Sequence, residues 1–315
     1  MKALIHAIRQ PYLDAQFGTG NGSYTRLIER PGLWMTQQEL DALSSDLRAV
    51  AGRTLEAGAL EYGVFAADRS RMNDSIITVI YSESEERPVA FNALAVINAE
   101  YNGKPTKVLH LGLVMVDPQA RSQGFSWILY GLTCLILFIR SGLRPLYISN
   151  VTQVPAIIGM VAETFSDVHP VPGAGPARDF AKVQIARSIM TEHRHVFGVG
   201  PEAEFDEQNF IIRNAYTGGS DDLKKTFEVA PKHRDEAFNV FCRDQLDYDR
   251  GDDFLQIGTI DIDAMRRYVT KSVPRRSLAN LAALTALVLL RRAVLPFFYW
   301  LDDSRAYGSL RPWKT

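Results

Sequence analysis

The sequence contains few cysteines and almost no net charge, and these two shortages exclude several classes of protein. Its 315 residues include only two cysteines, Cys134 and Cys242, which have neither the spacing of a disulfide framework nor that of a zinc site. Acidic and basic residues nearly cancel, leaving a formal net charge of −1. Neither a disulfide-stabilised secreted domain nor a nucleic-acid-binding protein is therefore indicated.

Long apolar runs are also missing. No stretch of 18 uninterrupted apolar residues is present, which argues against a simple membrane-spanning helix. The first nine residues are interrupted by His6 and Arg9 and lack the apolar core and cleavage site of a secretory signal. We expect a cytoplasmic protein. Apolar residues make up 46% of the chain, enough for a sizeable core in one large or two ordinary domains.

What the sequence does contain is a strand, a polar turn and a long apolar helix between residues 108 and 140. Residues 108–116 are apolar except for His110 and Gly112. Asp117-Pro118 ends this strand, because proline has no N–H to donate to a neighbouring strand. The turn that follows supplies backbone N–H groups at a helix N-terminus, an arrangement suited to a phosphate or pyrophosphate.

The remaining pattern predicts an α/β protein with four regions. Thr36 and Glu39 form a capping box for a helix over 36–60. A hairpin turn is expected at 100–104. Further strands are predicted over 61–65, 75–81, 89–98, 107–117, 144–150, 209–215 and 254–262, and further helices over 123–141, 153–165 and 176–194. The regions are an N-terminal helical segment (1–60), a core (61–170), an accessory α+β region (171–276) and an amphiphilic tail (277–315).

The turn has the sequence Arg121-Ser122-Gln123-Gly124-Phe125-Ser126, which resembles motif A of the GNAT superfamily of N-acetyltransferases. That motif is Arg/Gln-x-x-Gly-x-Gly/Ala after an apolar strand, and Ser126 stands in place of the last Gly or Ala. The resemblance covers roughly residues 60–170. It implies a mixed, mostly antiparallel central sheet with flanking helices and one right-handed crossover. The implied activity is transfer of an acyl group from a thioester to an amine.

The resemblance also implies where the acyl donor lies. The pyrophosphate would contact the backbone amides of 119–124, and the pantetheine arm would insert between two splayed strands. An amide at Leu113 or Val114 would polarise the thioester carbonyl. Acyl-CoA and acyl carrier protein (ACP) present the same pantetheine arm, so either is a possible donor. The donor-binding residues expected are Val114, Val116, Gln119, Arg121, Ser122, Gln123, Gly124, Phe125 and Ser126.

Two polar side chains are the candidates for catalysis. Strand alternation places His110 on one face with Gly112, Val114 and Val116. The family often has a glutamate base early in this strand, and a histidine there titrates near neutral pH. The alternative is a core histidine. Asn150 would contact pantetheine or the intermediate, or would cap the next helix. That helix lacks the tyrosine that the family often uses as general acid.

A pair of histidines and the C-terminal tail complete the candidates. His193 and His195 have no third ligand at a recognisable spacing, so we assign no metal. Near the C-terminus, an apolar stretch 278–290 is followed by Arg291-Arg292, and each arginine would cost about 2.5–3.5 kcal/mol at a bilayer centre. The break at Arg291-Arg292 and Pro296 therefore predicts two short segments that insert shallowly at a membrane surface. The alternative is a helix pair packed on the domain or a dimer partner. The basic residues expected to face lipid are Arg266, Arg267, Lys271, Arg275 and Arg276.

Three features favour a lipid substrate: the apolar helix after the turn, the extra chain beyond residue 170 and the amphiphilic C-terminus. The layout resembles that of long-chain lipid N-acyltransferases, including bacterial ceramide synthases, on the inner face of the cell membrane. Such an enzyme would join an acyl chain to a lipid amine such as a sphingoid base. Two alternatives remain: an acetyl-CoA-dependent enzyme acting on a soluble amine or protein, and a non-catalytic module that binds ACP or membrane.

Overall fold

A computed structural model describes residues 12–18, 22–54, 63–65, 69–121, 123–125, 127–175 and 179–301, apart from the side chains at 291–292 and 295–301. The fold is α/β with a mostly antiparallel sheet flanked by helices, as predicted. Only β5 and β6 pair in parallel among the described strands. The strands are β1 Asp14–Gly18, β2 Ser23–Glu29, β3 Ser75–Ser82, β4 Arg87–Tyr101, β5 Lys104–Val116, β6 Leu146–Thr152, β7 Ser166–His169, β8 Glu204–Asp206, β9 Ile211–Arg213 and β10 Asp253–Ile260. Their order is β1-β2-β3-β4-β5-β6-β10-β9-β8, and β7 also pairs with β10.

Helices cover both faces of this sheet. One face, called face A, packs against α1 and α5, and the opposite face B packs against α3, α4 and α8. The helices are α1 Gln37–Thr54, α2 Arg69–Met72, α3 Ile128–Arg140, α4 Pro155–Thr164, α5 Phe180–Ser188, α6 Glu236–Gln245, α7 Ile262–Ser272 and α8 Leu278–Leu301.

Local signals in the sequence predict several of these elements correctly. The backbone N–H of Thr36 donates to Glu39 at 2.7 Å, and the Glu39 N–H donates to the Thr36 hydroxyl at 3.3 Å, which confirms the capping box. The hairpin between β4 and β5 turns at Asn102 and Gly103, which both have positive φ. Asn-Gly suits such a turn because both residues tolerate this left-handed backbone.

The N-terminal region differs from its prediction as a helical segment. Before α1, it contributes β1 and β2 to the sheet, with β2 paired to β3 over seven residues. Short strands at a sheet edge have little periodicity of their own, and pairing with β3 decides their conformation. The strand predicted at 61–65 is also wrong, because Gly63–Phe65 is a 3₁₀ turn. Residues 61–62 lie outside the described part of the chain.

Strand β10 comes from the region predicted as accessory, yet it is central to the sheet. It pairs with β6 from Phe254↔Thr152 to Ile260↔Leu146, and with β7 and β9 on its other side. The region after residue 170 and the predicted core therefore share one sheet. This arrangement also places the first residues of β10 next to the end of β6.

The C-terminal helix α8 is continuous, so the predicted break into two short segments is wrong. Arginine is a good helix former, and a pair of arginines does not interrupt helical backbone. Leu281, Leu284 and Val288 are buried in the same apolar cluster as α3. In the described chain no single helix is long and apolar enough to cross a membrane. Only Ile262–Ser272 and Arg275–Leu290 together reach that length, and they meet at a bend of 113°.

Candidate active site

The two parallel strands of the sheet separate at their carboxyl ends. β5 and β6 pair only from Val108↔Tyr147 to Leu111↔Asn150, after which both strands continue without each other. A cavity of about 890 Å³ occupies this gap. It is lined by residues of face A, such as His110 and Phe197, and by residues of the turn and helix that cover face B, such as Arg121 and Tyr130. The cavity therefore reaches both faces of the sheet.

A β-bulge in β5 shapes the strand beside this gap. The β4–β5 register shifts from Ala93↔Leu113 to Ala95↔His110, so Leu111 and Gly112 together oppose one residue of β4. A Cβ on residue 112 would lie 2.0 Å from the carbonyl oxygen of Ala93. Only glycine fits there.

Because of the bulge, the side chains of β5 do not alternate between the two faces as predicted. Because paired residues share a face, His110 lies on face A with Leu113 and Met115, which pack towards α1. Val114 and Val116 lie on face B instead, against the cluster that contains α3. Both valines still line the cavity, from the side opposite His110.

His110 is buried and lines the cavity. Its Nδ1 lies 3.1 Å from the hydroxyl of Ser149, the residue opposite it on β6, and its ring contacts Phe197 with centroids 5.0 Å apart. No other partner of its ring is found in the described chain. Burial lowers the pKa of His110 to about 4, because the apolar surroundings disfavour the charged imidazolium. At neutral pH the ring is therefore uncharged.

Asn150 also lines the cavity, but it is already held by a neighbouring strand. Its Nδ2 donates to Oε1 of Gln256 on β10 at 3.1 Å, and Gln256 in turn donates to the carbonyl of Pro170 at 3.1 Å. The alternative role as a helix cap is wrong, because the residue that caps α4 is Val154. This amide therefore orients the end of β6.

The turn after β5 uses several of its own N–H groups. The buried carboxylate of Asp117 accepts from the Gln119 N–H at 2.9 Å. The N–H groups of Ala120, Arg121 and Gln123 donate to carbonyls within the turn. Of the amides 119–124 that we expected to bind pyrophosphate, those four are therefore engaged, and Ser122 lies outside the described residues, as does Ser126. Gly124 is the remaining one.

The helix begins later than predicted. Gly124 has φ of +78°, a left-handed conformation that a helix does not allow, and Phe125 is buried in the core beside α3. The first turn of α3, Ile128–Leu132, is π-helical. Of the residues predicted to bind the donor, Gln119, Gln123, Gly124 and Phe125 do not line the cavity, whereas Val114, Val116 and Arg121 do. The exposed Arg121 has no ion-pair partner within the described chain.

The π-helical turn is held in place by a tyrosine of α7. A Cβ on Gly131 would lie 2.0 Å from the Tyr268 ring, whose hydroxyl donates to the carbonyl of Trp127 at 2.8 Å. The side-chain amide of Asn92, on β4, donates to the carbonyl of Leu129. The carbonyls of Trp127, just before this turn, and of Leu129 within it thus bond outside the helix, which allows the wider turn. Tyr130, in this turn, points its hydroxyl at no protein partner among the residues described.

Asp253, at the start of β10, is an ionisable group of the cavity that no pattern in the sequence indicated. This side chain is 4% exposed, and its Oδ1 accepts a hydrogen bond from the Tyr216 hydroxyl at 2.9 Å. Burial raises the pKa of Asp253 to about 7, with a further contribution from the neighbouring carboxylate of Asp252. In the sequence, Asp252-Asp253 resembles an exposed acidic pair, and no local signal distinguishes it from one.

The two histidines of the predicted pair lie at the face A end of the cavity. His193 and His195 belong to successive turns after α5, in a helical segment and not in a strand. The His193 Nε2 lies 3.1 Å from the carbonyl of Asn98. Desolvation lowers the pKa of His195. No group of three metal-ligating side chains occurs in the part of the chain that the structure describes.

Comparison with known proteins adds little to this site. No family model and no curated protein matches the sequence. A solved ribosomal-protein-S5-alanine acetyltransferase from Vibrio fischeri is 14% identical, with 53% of this chain and 88% of that chain covered and a TM-score of 0.34. A spermidine N-acetyltransferase from Vibrio cholerae is 14% identical, with 51% and 86% covered and a TM-score of 0.29. Similarities this low carry no argument about activity.

Proposed function

We propose that this protein is an N-acyltransferase of the GNAT type, which transfers an acyl group from a pantetheine thioester to an amine. The observation that carries the proposal is the cavity in the gap between β5 and β6, which reaches both faces of the sheet. Past Leu111, the β5 edge that faced β6 has none of the described strands beside it. An extended pantetheine arm would lie there as a further strand, with its amides bonded to that edge.

The face B end of the cavity suits the phosphates of the donor. Arg121 at this end is free of ion pairs with described residues, and a guanidinium is a strong ligand for phosphate oxygens. The Gly124 amide, in the glycine-specific turn before α3, does not line the cavity and would donate only to phosphates that lie outside it, near the helix N-terminus. Tyr130 inside the cavity would donate its hydroxyl hydrogen to the sulfur of the departing thiolate. Both acyl-CoA and acyl-ACP have the chemistry that these groups recognise.

The face A end suits the acceptor amine. His110 is neutral at physiological pH, the form in which an imidazole accepts a proton, and its Nδ1 is fixed by Ser149. In the reaction the amine nitrogen attacks the thioester carbonyl, the C–N bond forms and the C–S bond breaks. The nitrogen loses its extra proton to a base of the site, and the thiolate leaves to be protonated.

We propose further that the acyl chain is long and that the acceptor amine belongs to a lipid. The volume of about 890 Å³ lies at the upper end for small-molecule sites. Helix α4 contributes an apolar wall on face B, and substrates with long chains would bury apolar surface there. The residues of this wall are Ile157, Met160, Val161 and Phe165.

The outer face of α8 supports an association with membrane lipids. Leu278, Leu289 and Leu290 are 39%, 50% and 44% exposed, and no charged residue lies between them. The exposed Arg275 and Arg276 precede this apolar face and would contact anionic headgroups. We propose that α8 lies on the inner surface of the cell membrane and brings lipid substrates to the helix α3 on which it packs.

The assay for the proposed function is thiol release and amide formation with a set of donors and acceptors. Acetyl-, octanoyl-, palmitoyl- and stearoyl-CoA, and palmitoyl-ACP, are each offered with sphinganine and with a soluble polyamine, and products are identified by mass spectrometry. We expect a long-chain amide of sphinganine. Turnover confined to acetyl-CoA and the polyamine would replace the lipid proposal with a soluble acetyltransferase, and turnover with no pair would favour a binding module.

The membrane proposal has its own test. The full chain is sedimented with phosphatidylcholine vesicles that contain or lack phosphatidylserine, and compared with the variant Leu289→Gln/Leu290→Gln. We expect binding to the anionic vesicles that falls several-fold in the variant and at high salt. The matched control, Val229→Gln, alters another exposed apolar residue outside α8. Equal sedimentation of both variants with the wild type would contradict the role of α8.

A further inference from the structure

Asp253 is a buried carboxyl group without a positive partner among the residues that the structure describes. Its side chain is nine-tenths buried or more, lines the cavity, and makes one hydrogen bond, in which Oδ1 accepts from Tyr216. Its Oδ2 has no partner among the described residues. A buried carboxylate normally pairs with a cation, because desolvation makes an unpaired charge costly. A ligand with a positive charge would therefore stabilise the ionised form of Asp253.

Strand geometry puts this carboxyl on the same face as His110. Register pairs His110 with Ser149 on β6, and Val151, two residues further along β6, pairs with Leu255 on β10. Asp253 lies two residues before Leu255 and therefore on the same face. Both side chains line the same cavity at its face A end. The other cavity carboxylate nearby, Asp74, is exposed and already paired with Arg30 at 3.0 Å.

We propose that Asp253 binds the acceptor as a primary ammonium ion and accepts its proton, with Tyr216 orienting the carboxylate. This inference rests on the proposed acyl transfer for its chemistry. The ammonium N–H bond breaks and its proton passes to Oδ2 of Asp253, which leaves a neutral amine with a free lone pair. That amine attacks the thioester carbonyl, and the tetrahedral intermediate loses a second proton as the thiolate departs and is protonated. Asp253 then releases its proton to solvent.

The proposal has a specific electrostatic basis. A carboxyl group that ionises near neutral pH matches the requirement for a general base better than one that is ionised from pH 4 upwards. The groups that act on its charge are Tyr216, whose hydrogen bond lowers the pKa, and Asp252, whose negative charge raises it. A bound ammonium would lower the pKa further, so the carboxylate forms as the substrate arrives.

Binding tests the proposal without any turnover. Dodecylamine and 1-dodecanol have the same chain, and calorimetry compares their affinities for the full-length protein at pH 5 and pH 8. At both values the free amine is protonated, so any change in preference reports on the protein. We expect the wild type to prefer the amine at least tenfold at pH 8 and less at pH 5. Asp253→Asn should abolish this preference and leave dodecanol binding unchanged, whereas Asp74→Asn should keep it.

Turnover supplies the second readout. In wild-type protein log(kcat/KM) should fall below about pH 7. Tyr216→Phe should move this acid limb to higher pH, because it removes the hydrogen bond that stabilises the carboxylate, and His110→Gln should leave its position unchanged. An acid limb near pH 4, or an amine preference that survives Asp253→Asn, would overturn the assignment while acyl transfer stands. Amine preference that depends on Asp253 in a protein without turnover would overturn the proposed function and retain the ammonium site.

Discussion

Replacing Asp253 with asparagine should remove part of the stability loss that the wild-type protein shows as the pH rises. In the unfolded chain this carboxyl ionises near its ordinary pKa of 3.8, whereas burial raises the pKa of Asp253 to about 7 in the folded protein. Between these values the folded state holds a proton that the unfolded state has released. Stability therefore falls as the pH rises from 4 to 7, and the loss is complete above pH 7. Asparagine keeps the acceptor for Tyr216 and removes the titration.

The size of this effect follows from the two pKa values. Each pK unit corresponds to about 1.4 kcal/mol, so the full penalty is about 4 kcal/mol at high pH. Between pH 5 and pH 8 the folded protein carries the extra proton over roughly two pH units, which corresponds to about 3 kcal/mol. The wild type should lose that amount from this one group, and Asp253→Asn should not. Other titrating groups are common to both proteins and cancel in the comparison.

Urea unfolding followed by circular dichroism at pH 5 and pH 8 measures this double difference. The free energy of unfolding of Asp253→Asn, relative to wild type, should rise by about 3 kcal/mol from pH 5 to pH 8. Asp74→Asn is the matched control, because its carboxylate is exposed and paired, and it should show little pH-dependent difference. If the stability difference between Asp253→Asn and wild type changes by less than about 0.5 kcal/mol between the two pH values, burial does not raise the pKa of Asp253. The conclusion that this carboxyl has no cationic partner would then be wrong as well.

Three further predictions address the rest of the site. His110→Gln removes a histidine whose folded pKa, about 4, lies below the ordinary 6.5. The wild type should therefore lose about 2 kcal/mol of stability from pH 7 to pH 5, as measured by urea unfolding, and the variant should not. Gly112→Ala places a Cβ 2.0 Å from a carbonyl oxygen, so we expect a loss of about 3 kcal/mol by thermal unfolding; an unchanged Tm would contradict the bulge. Tyr268→Phe leaves the carbonyl of Trp127 without its partner and should cost about 1–2 kcal/mol, and a stability equal to wild type would argue against the contact between α7 and the π-helical turn.

Local chemistry in the sequence predicts much of the fold. Alternating apolar residues locate β3, β4 and β5, a capping box begins α1, and Asn102-Gly103 turns the hairpin. Each of these signals acts within a few residues, where backbone preference and turn chemistry decide the conformation. The strand–turn–helix that begins at residue 108, with His110 and Arg121 at the cavity, is predicted for the same reason. The start of α3 is misplaced, because the positive φ of Gly124 delays the helix.

The remainder depends on contacts between distant parts of the chain. A register shift against β4 moves Val114 and Val116 to the face opposite His110, and nothing in β5 alone specifies that shift. The pairing of β10 with β6, about a hundred residues earlier in the chain, brings Asp253 into the cavity. An aspartate has the same covalent structure in an exposed loop and in a buried strand. Its pKa and its need for a cation arise only from the apolar surroundings that tertiary packing creates, because desolvation is a property of the folded environment.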